Sequence, residues 1–127
     1  MMKFNIDETF VSLFSIESKS FEKKPTDDSP LPAELEIAPS LHQHEEMKQN
    51  KYGVKLALSL KTEFFDLKME HYFILEFEKK LTKTQQSSKE MKKLFINYLY
   101  PYSRAIIISM LANGGYGSVN MPVIAIQ

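Results

Sequence analysis

Three histidines, a glycine-rich run and a pair of adjacent aspartates are the residues whose types and spacing could do chemistry. His42, His44, Glu45 and Glu46 gather imidazoles and carboxylates in one short stretch, the composition of a metal site or an acid–base pair. A metal site needs ligands held by rigid elements and oriented by a supporting layer of hydrogen bonds. This cluster instead falls in the polar segment from His42 to Asn50 with no further imidazole beside it, so a solvated loop is expected and no metal. His71, beside Tyr72, is expected to be a partly buried histidine with a backbone partner rather than a catalytic base. Gly114, Gly115 and Gly117 resemble a phosphate loop only in composition. Such a loop feeds the positive N-terminal end of a helix, whereas these glycines follow a helix and lack a Lys-Ser/Thr continuation. They are expected to stop that helix. Ser118, within GYGSV, has no nucleophile-elbow pattern around it. Asp27 and Asp28 are neighbours in a proline-rich stretch where nothing would hold them in catalytic geometry or raise a pKa by burial. No catalytic residue and no cofactor is expected, and the chain reads as a non-enzyme.

The elements that would position these groups follow from periodicity. Thr9 to Phe21 reads as a strand in which Leu13 and Phe14 break the alternation, so a bulge is expected near that pair. Lys23 to Pro32, with Pro25, Asp27, Asp28 and Pro30, is loop chemistry. Ala33 to Ala38 suits a short strand with Leu35 and Ile37 on one face. Val54, Leu56, Leu58 and Leu60 alternate with polar or small residues, as a half-buried strand requires. A turn is expected around Phe65 to Lys68, followed by a second strand carrying Phe73, Leu75 and Phe77 on one face. The two strands are antiparallel if the short link is a hairpin. Ser87 and Glu90 have capping-box spacing and open a helix through Leu94, Phe95 and Tyr98, which Pro101 ends or kinks. Strands first and helices last predict one α+β domain over residues 1–127, a small antiparallel sheet of about four strands with C-terminal helices on one face.

The 127 residues carry 16 basic and 16 acidic side chains, a balance that recruits neither nucleic acid nor an anionic membrane. With no cysteine there are no disulfides, thiolate metal sites or cysteine nucleophiles. The opening MMKFNIDETF places Asn5, Asp7 and Glu8 where a signal peptide needs apolar residues, and no window approaches a continuous membrane span. A cytoplasmic protein without membrane insertion is expected.

The stretch LFINYLYPYSRAIIISMLANGGYGSVNMP, from Leu94 to Pro122, departs from an ordinary amphipathic helix. Pro101 stands where a helix could start, and Gly114 and Gly115 where it would stop. Successive helical residues advance by about 100°, so Ile106, Ile107 and Ile108 point three ways and leave mainly Ser103, Arg104 and Ser109 for water. A helix this apolar needs cover on two sides, and a short chain has little material for the second. Another copy of the protein is the expected cover. Ile107, Ile108 and Leu111 are the candidate interface residues, and Ile107→Asp is expected to split the assembly.

This same stretch resembles the SecB family of tetrameric export chaperones. Tyr100, Pro101, Tyr102, Ser103 and Arg104 stand where the family has an aromatic-Pro-Tyr-Ala-Arg run. Gly114 and Gly115 match its helix stop, and Asn120, Met121 and Pro122 its Leu-Pro-Pro-like segment. Upstream, Val11 to Pro25, with Ser20, Phe21 and Glu22, is similar to the first strand of the family, and Leu35 to Phe77 to its next three. The resemblance implies an ATP-independent holdase that binds unfolded or precursor polypeptides, for export or for a dedicated client such as an antitoxin, and assembles as a dimer of dimers. It also implies an apolar groove between the main helix and the sheet, for which Phe64, Phe65, Tyr72, Tyr102, Ile106, Met110 and Tyr116 are the candidates by motif position and apolar character. Flexible methionines among aromatics suit a site that must accept many sequences. In the family an acidic sheet face docks a SecA motor. Glu22 and Glu76 fall on two of those positions, whereas Ser18 stands where the family has an aspartate. The C-terminal helix and polar tail of classical members have no counterpart before Gln127. Arg104, the single arginine, is assigned to a structural ion pair or helix-start contact. The competing reading is a non-catalytic adaptor that keeps the fold and binds one folded partner. An enzyme built on His42 and His44 lacks motif support.

Overall fold

The computed structural model describes residues 3–19, 32–43, 46–116, 119 and 121. Ser20, Phe21, Glu22, Pro25, Asp27, Asp28, Pro30, His44, Glu45, Gly117, Ser118, Asn120 and Pro122 lie outside the described residues. Four strands, β1 (Phe4–Ser18), β2 (Glu34–His42), β3 (Lys51–Lys61) and β4 (Phe65–Phe77), precede a short α1 (Lys83–Gln86) and a long α2 (Lys89–Asn113). The strands form one antiparallel sheet in the order β1-β4-β3-β2. This is the α+β arrangement that the order of elements predicts.

Strict alternation makes β3 and β4 the buried centre. Tyr52, Val54, Leu56 and Leu60 on β3, and Phe73 and Leu75 on β4, are 0% exposed. Residues directly opposite in an antiparallel pair share a face. The stretch Phe65 to Lys68, expected to turn, is already strand, because Phe65, Leu67 and Met69 continue the same alternation as Phe73 and Leu75. The turn lies just upstream, without glycine or proline. Thr62 Oγ1 accepts from the backbone N–H groups of Phe64 at 3.1 Å and Phe65 at 3.0 Å, a side-chain mimic of a backbone turn.

The first strand begins at Phe4, earlier than the Thr9 expected, and its described end is Ser18. Its register against β4 shifts twice, between Ile6 and Glu8 and between Val11 and Leu13. The second shift is the bulge anticipated near Leu13 and Phe14. Together the shifts bring Phe4, Ile6, Thr9, Val11, Phe14 and Ile16 opposite the inward residues of β4.

The capping box lies at Thr82 and Gln85, where it opens the four-residue α1, and not at Ser87 and Glu90. Ser88 caps α2, accepting from Met91 N–H at 3.1 Å. The helix then continues for 25 residues straight through Pro101, so the proline does not end it. A helix-interior proline costs about 3 kcal/mol. Full burial of one large apolar side chain contributes about 1.5–3 kcal/mol, and Leu99 and Ile107, on the turns either side of Pro101, are both 0% exposed. Packing therefore outweighs the local penalty. The stop at Gly114 and Gly115 is as expected: Gly115 has φ 83°, and Gly115 and Tyr116 donate to the carbonyls of Ala112 and Leu111 at 3.3 and 2.9 Å. That pair of bonds is a Schellman cap.

Met91, Phe95, Leu99, Ser103, Ile107 and Leu111 form the buried row of α2, every fourth residue. Ser103, expected to face water, is 0% exposed on that row. Ile107 and Leu111, expected between subunits, are 0% and 1% exposed within a single chain. They fill its own core, and of that trio only Ile108, 39% exposed, reaches the surface. Ile107→Asp is accordingly expected to unfold the chain rather than split an assembly, with a loss of about 3 kcal/mol or more. Urea denaturation measures it, and an unchanged midpoint would refute this placement.

Candidate functional site

The helix approaches β2 and β3 most closely. Strand β1 lies beyond β4 in the strand order, and its inward face is open at Thr9 and Val11. Val11 stands directly opposite His71, so both point to the helix side of the sheet. Yet His71 is 1% exposed and Val11 is 37% exposed. The inward residues of β1, with Phe4, Ile6, Phe14 and Ile16 half-buried and Val11 open, form an apolar floor. Tyr102, Ile106 and Met110, one turn apart on α2, form the wall beside it. Tyr102 is 52% and Met110 45% exposed.

Aromatic contacts close both ends. At one, Tyr98 of α2 meets Phe4 edge-on with centroids 5.8 Å apart. At the other, the Tyr116 ring lies 4.7 Å from that of Phe65, and its hydroxyl is 3.1 Å from Ser18 Oγ. Between these contacts the exposed side chains of Val11 on β1 and of Tyr102 and Met110 on α2 outline a candidate apolar groove.

Beside the open stretch lies a buried polar chain. His71 Nε2 is 2.7 Å from Thr9 Oγ1 on β1, and His71 Nδ1 is 2.8 Å from Ser103 Oγ on α2. The imidazole also lies against the Phe73 ring, centroids 4.2 Å apart. Burial holds the His71 pKa below its ordinary value of 6.5. The partners of His71 are thus hydroxyls on two other elements and not the backbone group expected. A neutral imidazole offers one donor and one acceptor nitrogen, and hydroxyls can complement either.

The remaining candidates are dispersed. Phe65 is core, 1% exposed, and Phe64 lies in the β3–β4 turn, half-buried. Tyr72 points to the opposite face of the sheet, where its ring stacks on Phe10 at 5.2 Å and lies across Gly53, whose missing side chain makes the room. Glu76 is on that outer face too, in register with Lys51, which pairs with Asp7 at 2.9 Å. Burial raises the pKa of the Tyr100 hydroxyl, and Arg104, one turn away, opposes that rise. The Nε atom of Arg104 is buried without a hydrogen-bond partner among the described residues. His42 Nε2 is 3.1 Å from Ser40 Oγ at an exposed strand end. Among the described residues no three metal-ligating side chains converge, and no helix is long and apolar enough to cross a membrane.

Thr9, Val11, Phe14 and Ser103 are the site residues that the motif reading missed. Ser103 carried a signal, since it sits midway in the four-residue spacing of Phe95, Leu99, Ile107 and Leu111. The β1 residues carried none as plain, because two register shifts scramble their alternation.

No protein-family model matches the chain, and no curated protein matches it by sequence. Solved structures do match. The SecB-like chaperone Rv1957 of Mycobacterium tuberculosis, solved in complex with a ChAD peptide from the Rv1956 HigA1 antitoxin, superimposes with a TM-score of 0.67 at 12% identity, over 96% of this chain and 88% of that one. A protein of unknown function from Streptococcus agalactiae gives a TM-score of 0.57 at 11% identity, over 100% of this chain and 98% of that one. The fold is SecB-like.

The pH dependence of stability follows from His71. Its folded pKa lies below 6.5, so the unfolded chain binds the proton more readily. This contribution to stability is complete above the unfolded value and falls as the pH drops through that value toward the folded one, by at most about 1.4 kcal/mol per pH unit. Urea midpoints between about pH 7.5 and 5.5 should decline for the native chain and much less for His71→Gln. Equal declines in both would refute the assignment.

Proposed function

We propose that this SecB-like fold serves as an ATP-independent holdase, binding extended apolar segments of unfolded polypeptides along the groove between β1 and α2. The observation that carries it is Val11, an inward-facing aliphatic residue left 37% exposed beside a helix wall whose Tyr102 and Met110 are also exposed. Such a site needs contact area and adaptable side chains rather than catalytic geometry. Strand β1 is also an edge strand, so a client lying in extended form beside it can add backbone hydrogen bonds along the open side of the ladder. The Mycobacterium tuberculosis structure of the same fold contains an antitoxin peptide, which supports a polypeptide ligand here. An antitoxin and an export precursor are the two client classes it suggests. Holding works by mass action, since whatever binds the unfolded state withdraws it from aggregation without fuel.

The proposal extends to a homo-oligomer in the cytoplasm, a dimer of dimers. Only its self-association has support in the fold, from the outer side of α2, where Ala105, Ile108 and Ala112 are exposed without a charge among them.

Val11→Glu and Met110→Glu each set a charge on the groove while altering exposed positions, so stability should change by about 0.5 kcal/mol or less. Suppression of aggregation of two unrelated unfolded proteins, followed by light scattering, should fall about tenfold for either variant, the equivalent of about 1.4 kcal/mol of client binding. Lys68→Glu, on the opposite face, should leave it intact. Undiminished protection by both groove variants would overturn the proposal.

A further inference from the structure

The two sides of the groove belong to elements far apart in sequence, and one buried side chain is hydrogen-bonded to both. We infer that His71 is the positioning residue of the groove, its neutral imidazole joining Thr9 on β1 to Ser103 on α2 and so setting the separation of floor and wall, and that protonation of the ring releases a bound client. The inference rests on the holdase reading for its consequence and on the geometry alone for its mechanism.

The two hydrogen bonds, 2.7 Å to Thr9 Oγ1 and 2.8 Å to Ser103 Oγ, use both ring nitrogens. In the neutral ring one nitrogen donates and the other accepts, so one hydroxyl must donate to it. A proton converts both nitrogens to donors, and that hydroxyl must redirect its hydrogen. Thr9 is exposed and can turn to water. Ser103 is 0% exposed, and within its own helix the nearest alternative acceptor is the carbonyl one turn back, at Leu99. Among the described residues the new positive charge would also stand unpaired on this face. Glu8 on β1 and Glu70 on β4 fall on the opposite side of the sheet, as does Lys55 on β3, and Leu56, opposite His71 on β3, is apolar. On α2 the flanking titratable groups are Tyr100, Tyr102 and Arg104, none of which supplies a negative charge near neutral pH. Burial, with no carboxylate of the described residues on this face, disfavours the charged ring. Protonation is therefore relieved by parting α2 from β1 and admitting water to the ring.

The test uses the full chain, with a fluorescent extended apolar peptide free of Asp, Glu and His as the probe. Its affinity should be level above about pH 6.5 and fall in one protonation step below it, by up to about tenfold per pH unit. Thr9→Val and Ser103→Ala each remove one link and keep the ring. They should weaken binding at neutral pH and shift the midpoint of the profile. Leu60→Ala, a core truncation on β3 four positions from the residue opposite His71, should lower stability without moving that midpoint. An affinity that stays level into the acid range, or a midpoint unmoved in both link variants, overturns the inference. NMR keeps this result separate from the fate of the holdase reading. The His71 ring resonances should titrate together with the amide shifts of Thr9, Val11 and Ser103 in the peptide-free chain. If the ring titrates and those amides do not move, the positioning role is refuted even where the peptide binds. If they move together and no peptide binds, the positioning role holds and the holdase reading fails.

Discussion

A single helix about 10 Å across cannot cover four strands spaced about 4.8 Å apart. Every functional feature described above depends on that mismatch of widths. Helix α2 lies closest to β2 and β3, and its buried row closes over the central strands, where Tyr52, Leu56, Phe73 and Leu75 are 0% exposed. The uncovered margin falls on β1. Because β1 pairs in register with β4, its inward residues must still be apolar enough to border the core. An exposed apolar floor is the result. The strand order places β1 at one end of the sheet, so exposed apolar surface and a sheet edge occur on one element.

Two local costs sit inside α2, and both are offset by tertiary contacts. Pro101 removes a helical hydrogen bond in the middle of a 25-residue helix. Leu99 and Ile107, buried on either side, restore more than the proline takes. Ser103 puts a hydroxyl in the core, where an unpaired one would cost about 1–3 kcal/mol. Its partner is His71, itself a polar group that the core admits only because Ser103 and Thr9 complete its hydrogen bonds. Each member of this chain is tolerable because of the others. The exchange makes the relation of α2 to β1 specific, which purely apolar contacts at the same place would do less sharply.

The outer face follows other rules. Lys51 with Asp7 and Lys55 with Glu70 distribute both signs of charge across it. Phe10 and Tyr72 stack among these charges, with the phenol accommodated over Gly53. Tyr72 shows how a shared residue type can mislead: an aromatic in a strand belongs to whichever face its register assigns, and one step along β4 separates the buried His71 from the outward Tyr72.

Composition and periodicity by themselves determined the α+β class, the central strands and the glycine stop after Asn113. These are properties of neighbours in sequence, namely alternation and backbone freedom at glycine, and they survive without knowledge of the fold. Of the seven groove candidates that the resemblance implied, Tyr102, Ile106 and Met110 share one row of α2 by their four-residue spacing. The face carried by Ile107 and Leu111, the burial of Ser103 and the inward direction of Val11 were decided only by tertiary structure. In each case the deciding quantity is a distance between elements far apart along the chain. A helix with apolar residues on every side has no preferred core face until a sheet selects one. A strand with two register shifts has no single alternation until its partner strand fixes the count. A serine in a helix is solvated or buried according to whether a histidine from another strand stands opposite it.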